Sequence, residues 1–181
     1  PPFTMLAGCS LGEDWSESRA ESKNFCLIKR KTMNKSRICA YIATLGPIGY
    51  LLAPGTVASA FTLPFVFWLQ QIVSNEIIYG ILLVILFFLS RMIVNYACDY
   101  FDQHHDPQQI VLDEVVGCLL TFWGIGFSVE AVVIGFILFR FLDISKMAGI
   151  GYVERFDNGW GIMLDDIMAG LISNIVLRLI F

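Results

Sequence analysis

The sequence predicts an all-α fold: a polytopic membrane bundle of about four to five transmembrane helices, with a polar site at their cytoplasmic ends. Three observations lead there. The 181 residues are 56% hydrophobic and only 15% charged, where a soluble domain carries about a quarter charged residues, and the mean hydropathy is +0.68. After Met33 the apolar residues fall into five runs. The charges that remain gather almost entirely in alternate turns between those runs, which puts them on one face. A chain of this length holds one compact unit.

Pro1 to Thr32 differs from everything after it. It is polar, rich in Ser and Glu, and does not begin with Met. Its LAGC (Leu6 to Cys9) mimics a lipoprotein cleavage box, but no basic region or apolar run precedes it. Residues 1–32 read as a disordered or adventitious extension and Met33 as the natural start, leaving 33–181 as a single membrane-embedded domain. Ile38 to Ala53 then reads as a reentrant or interfacial helix, broken at Gly46-Pro47.

The five runs follow: Thr56 to Val73, Ile77 to Ala97 (the longest), Val115 to Phe127, Ala131 to Leu142, and Ile167 to Phe181. A spanning helix needs about 20 residues, so the last three cross only if their polar ends enter the headgroup zone. Lys29, Arg30, Lys31, Lys35 and Arg37 place the N-terminal side in the cytoplasm. The turns Ser74–Glu76 and Ser128–Glu130 then fall outside. GTVAS, the loop Asp99 to Glu114 and the loop Asp143 to Asp166 fall inside. Arg178 is the exception, near the far end, where it can snorkel.

Several function classes drop out. Outside the N-terminal tail there is no basic face for nucleic acid. The five cysteines form no CxxC pair and no metal spacing, and none begins a C-x5-R phosphatase loop. His104-His105 lacks the three or four ligands of a zinc site and reads as a pair of solvated or hydrogen-bonded loop histidines.

The inward ends carry the chemistry. IVLDEVVG supplies Asp113 and Glu114, FRFLDISK supplies Arg140, Asp143 and Lys146, and GIMLDDIMAG supplies Asp165 and Asp166. DQHHDP supplies Asp102 and Asp106, and GTVAS supplies Thr56 and Ser59. Carboxylates from three helix ends suit a hard divalent cation such as Mg²⁺, which takes oxygen ligands and is commonly held by one or two carboxylates plus a substrate phosphate. Arg140 and Lys146 suit the phosphate, Arg by its fork and Lys as a point charge. Acids near helix N-termini are also ordinary dipole partners. That accounts for one acid per helix better than for two adjacent ones, whose side chains point about 100° apart. Gly55, Ala58, Ser59, Gly117, Ala169, Gly170 and Ser173 read chiefly as close-packing positions; Thr56 and Ser59 also offer hydroxyls to a phosphate.

Three other classes compete. A small transporter or ion-relay subunit would place charge near mid-helix, whereas these charges sit at one set of ends. A structural membrane subunit has no need of paired acids on two helices. A phosphatidyl transferase also gathers Asp around a metal, but its DG…AR…G…D…D pattern is absent.

LAPGTVAS, DPQQIVLDEVVG, FRFLDISK and GIMLDDIMAG resemble, in order and spacing, the phosphatidylglycerophosphatase A family, over nearly everything from Gly46 onward. The resemblance implies a small multi-pass enzyme of the bacterial inner membrane with its site facing the cytoplasm. It implies Mg²⁺-dependent hydrolysis of phosphatidylglycerophosphate to phosphatidylglycerol and inorganic phosphate, a step of phospholipid biosynthesis. Asp106, Asp113, Glu114, Arg140, Asp143, Lys146, Asp165 and Asp166 carry over as site positions. Two departures stand out: Lys146 is followed by MAGI instead of Pro-x-Pro-Ile, and GTxGS reads GTVAS.

Overall fold

The computed structural model describes residues 35–101, 108–145 and 160–181, and every regular element among them is helical. The N-terminal extension, Asp102, His104, His105, Asp106 and Lys146 lie outside the described residues. Ser36–Phe181 forms one compact unit.

Helix α1 (residues 35–43) stops where the sequence places a break. Leu45 takes a left-handed conformation (φ 48°) and Gly46 follows at φ 65°. The Gly46 N–H donates to the Tyr41 carbonyl at 2.9 Å and the Leu45 N–H to Ile42 at 3.0 Å. This is the paired C-terminal lock of a helix, with Leu where Gly is usual. A short 3-10 turn, Ile48–Tyr50, leads to α2, Pro54–Ile72. Ala53, left-handed at φ 56°, turns the chain into α2, and Pro54 at the first position needs no N–H partner.

Helix α3 is Glu76–Phe101. Asn75 opens it, its Oδ1 accepting from the Ile77 N–H at 2.9 Å and from Ile78 at 3.3 Å. Helix α4, Leu112–Thr121, has only ten residues, about 15 Å. Helix α5, Val129–Ser145, begins where Ser128 Oγ accepts the Ala131 N–H at 3.1 Å. Helix α6 is Trp160–Ile180.

The short α4 is the centre of the bundle, packed by α2, α3, α5 and above all α6. It runs parallel to α6 in a fixed register. Asp113 and Glu114 sit beside Asp166, Gly117 beside Gly170, and Thr121 beside Asn174. A methyl at Gly170 would fall 2.5 Å from the Gly117 carbonyl oxygen, so the two backbones touch. Leu119, Phe122, Phe139, Val66 and Leu177 fill the main core, and Val94, Ala97, Val116 and Met163 a second one nearer the site.

A ten-residue helix leaves its terminal carbonyls without intrahelical partners, and here side chains supply them. Asn174 Nδ2 donates to the carbonyls of Thr121 (3.0 Å) and Trp123 (2.8 Å). Gln70 Nε2 donates to Phe122 at 2.6 Å. Arg178 Nη2 donates to Trp123 at 2.9 Å while its Nε donates to Asn174 Oδ1 at 3.0 Å. Arg178 is therefore a capping residue in this fold, in addition to any snorkelling.

Beside its apolar core the bundle buries a set of polar side chains, while many large apolar ones face outward. Ser59, Thr62, Thr121, Asp165, Asp166, Ser173 and Asn174 are buried, while Phe61, Phe65, Trp68, Ile81, Ile85, Phe88, Ile137, Phe141 and Ile175 are exposed. Among the described residues, α3 is the one helix long and apolar enough to cross a membrane by itself; α6 is of similar length but carries Asp165, Asp166 and Arg178.

Gly170→Ala is expected to force α4 and α6 apart and lower stability by about 1–3 kcal/mol. Gly126→Ala, where an added Cβ meets nothing, is expected to leave the melting temperature in detergent within about 1 °C of the parent, since surface changes stay within about 0.5 kcal/mol.

Candidate active site

The acids that the sequence spaces over 53 positions meet because α4 and α6 are parallel and in register. One ligand oxygen from each of Asp113, Glu114 and Asp166 lies within 4.8 Å of the others. Oxygens around an octahedral ion at about 2.1 Å stand about 3 Å apart when adjacent and about 4.2 Å when opposite; at most one of the three pairs can be opposite, so side-chain closure by up to about 1.8 Å would fit the three to one ion.

A second helix end brings the cation. Arg140 Nη1, on α5, donates to Asp143 Oδ2 at 2.6 Å and lies 3.9 Å from Glu114 Oε1. The guanidinium thereby bridges the α5 acid to the α4 acid. Gly55 gives this corner its room. A Cβ there would strike Glu114 Oε1 and lie 3.1 Å from Arg140 Nη1. Asp165 turns back on its own helix, its Oδ1 accepting the Asp166 N–H at 3.0 Å.

These groups line an open polar cavity of about 370 Å³ with Ala53, Pro54, Gln108 and Ile110. Glu114 Oε2, Asp166 Oδ1 and Arg140 Nε are buried with no hydrogen-bond partner. Buried carboxylate oxygens without donors are costly, and a cation among them removes that cost. The donor set is all oxygen, which suits Mg²⁺ or another hard divalent ion.

Of the residues expected at the site, Asp113, Glu114, Arg140, Asp143, Asp165 and Asp166 line one cavity. Asp106 and Lys146 lie outside the described residues. Thr56 and Ser59 are not in the cavity wall. Ser59 is buried and its hydroxyl donates to the Gly55 carbonyl at 2.8 Å, one turn back on its own helix. Sequence reasoning gave no role to Ala53 and Gln108, although both stand inside the LAPGTVAS and DPQQIVLDEVVG motifs.

The family model for phosphatidylglycerophosphatase A matches residues 41–181. A phosphatidylglycerophosphatase A from Escherichia coli is 32% identical over 127 residues, covering 67% of this chain and 70% of the relative. One from Haemophilus influenzae is 42% identical over 74 residues, 40% of this chain and 45% of the relative. A putative phosphatidylinositol-3-phosphatase from Bacteroides thetaiotaomicron is 36% identical over 75 residues, 40% of this chain and 47% of the relative. The chain thus spans just under half the length of the last two. No solved structure matches. With the family match running through α2 and all four helices after it, the chain belongs to the phosphatidylglycerophosphatase A family.

Proposed function

We propose that the protein is a Mg²⁺-dependent lipid phosphatase of the bacterial inner membrane, hydrolysing phosphatidylglycerophosphate to phosphatidylglycerol and inorganic phosphate in phospholipid biosynthesis. The observation that carries this reading is the junction of Asp113, Glu114 and Asp166 with the Arg140–Asp143 pair in one open cavity. It is supported by the family and by the names of the Escherichia coli and Haemophilus influenzae relatives.

The multi-pass reading rests on the inverted surface. Exposed apolar side chains run along α2, α3, α5 and α6, a face that hydrocarbon covers at no cost and water does not. The positive-inside pattern supports a cavity that faces the cytoplasm. A transporter or ion relay remains the rival, but the acids collect at one set of helix ends beside an arginine rather than along a path.

Arg140 is the phosphate-binding residue. Asp143 holds Nη1 of its planar fork at 2.6 Å, and the buried, unpartnered Nε offers a donor to an incoming phosphate oxygen. Asp113, Glu114, Asp143, Asp165 and Asp166 form the acidic wall, and Glu114 and Asp166 contribute the oxygens best suited to a cation. Mg²⁺ bound there would neutralise phosphate charge and polarise the phosphorus–oxygen bonds. Lys146 and Asp106 join the site by family resemblance. In hydrolysis a water oxygen bonds to phosphorus, the ester P–O bond breaks, and the departing oxygen of the glycerol headgroup takes a proton. Positioning and charge stabilisation supply most of the rate in such transfers.

In mixed micelles, purified protein is expected to release phosphate from phosphatidylglycerophosphate with Mg²⁺ and to stop with a chelator. Glu114→Gln, Asp143→Asn and Asp166→Asn are each expected to lower the rate by about 10²-fold or more, the scale of losing a positioned electrostatic group, while circular dichroism stays unchanged. Full activity in two of them would remove the site assignment. Preferred release from phosphatidylinositol 3-phosphate would instead favour the activity named for the Bacteroides relative.

A further inference from the structure

Among the described residues, two arginines lie over tryptophans, one at each end of the bundle. The Arg91 guanidinium carbon, on α3, stands 4.1 Å from the centre of the Trp160 ring at the start of α6. Its Nε is buried with no hydrogen-bond partner, and Phe87 packs near the same ring at 6.1 Å. At the other end the Arg178 guanidinium carbon stands 5.6 Å from the Trp123 ring. Glu76 Oε2 lies 3.9 Å from Arg178, and Trp123 Nε1 donates to the Glu76 carbonyl at 3.0 Å. Neither pair lies in the cavity described above.

Their spacing is informative. Trp160 and Arg178 are 18 residues apart on one helix, about 27 Å at 1.5 Å per residue. The hydrocarbon core of a bilayer is about 30 Å thick. Tryptophan favours the bilayer–water boundary, and arginine snorkels to it. Helix α3 gives the same limits. From Ile77 to Ser90 it carries no charged residue, and Ile77, Ile78, Ile81, Val84, Ile85, Phe88 and Leu89 are exposed. Past Arg91 its exposed rings are Tyr96 and Tyr100, and Asn95 and Asp99 appear.

We infer that the Arg91–Trp160 and Arg178–Trp123 pairs mark the two bilayer boundaries, so that the acidic cluster lies beneath the boundary on its own side. Asp166 is six residues past Trp160, about 9 Å deeper by the helical rise. Its partners on α4 lie at that same depth. The phosphate that reacts must then be drawn below the plane of the surrounding headgroups, into the cavity, while its acyl chains stay in the bilayer. This rests on the membrane reading proposed above and adds the depth of the site. It selects a phosphate carried on a membrane lipid over the same phosphate on a soluble ester.

Depth-dependent fluorescence quenching tests it. The full chain is reconstituted in phosphatidylcholine–phosphatidylglycerol vesicles containing lipids with a nitroxide at the headgroup, at a shallow acyl carbon or at a deep acyl carbon. In a Trp15→Phe, Trp68→Phe background, Trp160 is read alone after Trp123→Phe, or after Trp123→Tyr if the Phe variant does not fold. Ile85→Trp, with the other four tryptophans replaced, places a probe on the exposed face of α3 near the level of the acids. Trp160 is expected to be quenched most by headgroup and shallow labels, and position 85 most by the deep label. Equal depth for the two probes, or strongest headgroup quenching at position 85, overturns the recessed site. Phosphate release from lipid in the same vesicles separates the claims. Release with a shallow position 85 leaves the phosphatase reading intact and removes only the depth. No quenching from any label removes the membrane reading and the depth together.

Discussion

Gly170 on α6 lies against the Gly117 carbonyl of α4 with no space for a methyl group between them. That backbone contact sets the register of two parallel helices, and the register sets the chemistry. Four residues before each glycine stand Asp113 and Asp166, with Glu114 one turn-step away. Four residues after each stand Thr121 and Asn174, joined by a hydrogen bond at 3.0 Å. A slip of one residue would rotate each acid by about 100° and separate the cluster. Helix α4 is too short to hold such a position alone, so Asn174, Gln70 and Arg178 fix its far end through its carbonyls. Phe139 from α5 closes the near side of Gly117.

Collecting acids in this register has an electrostatic cost. Like charges gathered away from water repel one another, and burial removes the hydration that would screen them. One guanidinium, Arg140, lies among them, already held by Asp143 at 2.6 Å. Among the described residues of the cavity a single positive charge faces five carboxyls, and Glu114 Oε2 and Asp166 Oδ1 stay buried without partners. An acid-rich corner of this kind suits a small hard cation and, next to it, an anionic phosphate, as the proposed function requires. Stability and function thus oppose each other here, as at many sites that hold like charges together.

Much of this was legible in the sequence because it depends on local signals. The apolar runs mark α2, α3, α5 and α6, Gly46-Pro47 marks the end of α1, and Asp113 and Glu114 mark the start of α4; Asp165 and Asp166 do not mark that of α6, which begins more than a turn earlier at Trp160. The parallel pairing of α4 with α6 was not legible, since it follows from a long-range glycine contact that spacing alone does not specify. Nor was the early end of α4 at Thr121: the run to Phe127 stays apolar, and the chain turns at Trp123 and Gly124 because Asn174 and Arg178 capture the carbonyls there. Ser59 looked like a phosphate donor by its motif, yet its hydroxyl bonds back to Gly55. That is a common fate of serine inside an apolar helix, where no water offers an alternative. Arg91 stood in the longest apolar run without a partner nearby in sequence, and only the fold supplies Trp160.

The account stands on one junction of carboxylates and on the proposal that it holds a divalent ion. The most direct measurement is a structure of the protein grown with Mn²⁺ and recorded at the manganese absorption edge. The account predicts an anomalous peak among the Asp113, Glu114 and Asp166 carboxylates, within about 2.3 Å of at least two of them, the reach of oxygen ligands to such ions. A peak elsewhere in the chain, or full occupancy retained after Glu114→Gln and Asp166→Asn together, would contradict it.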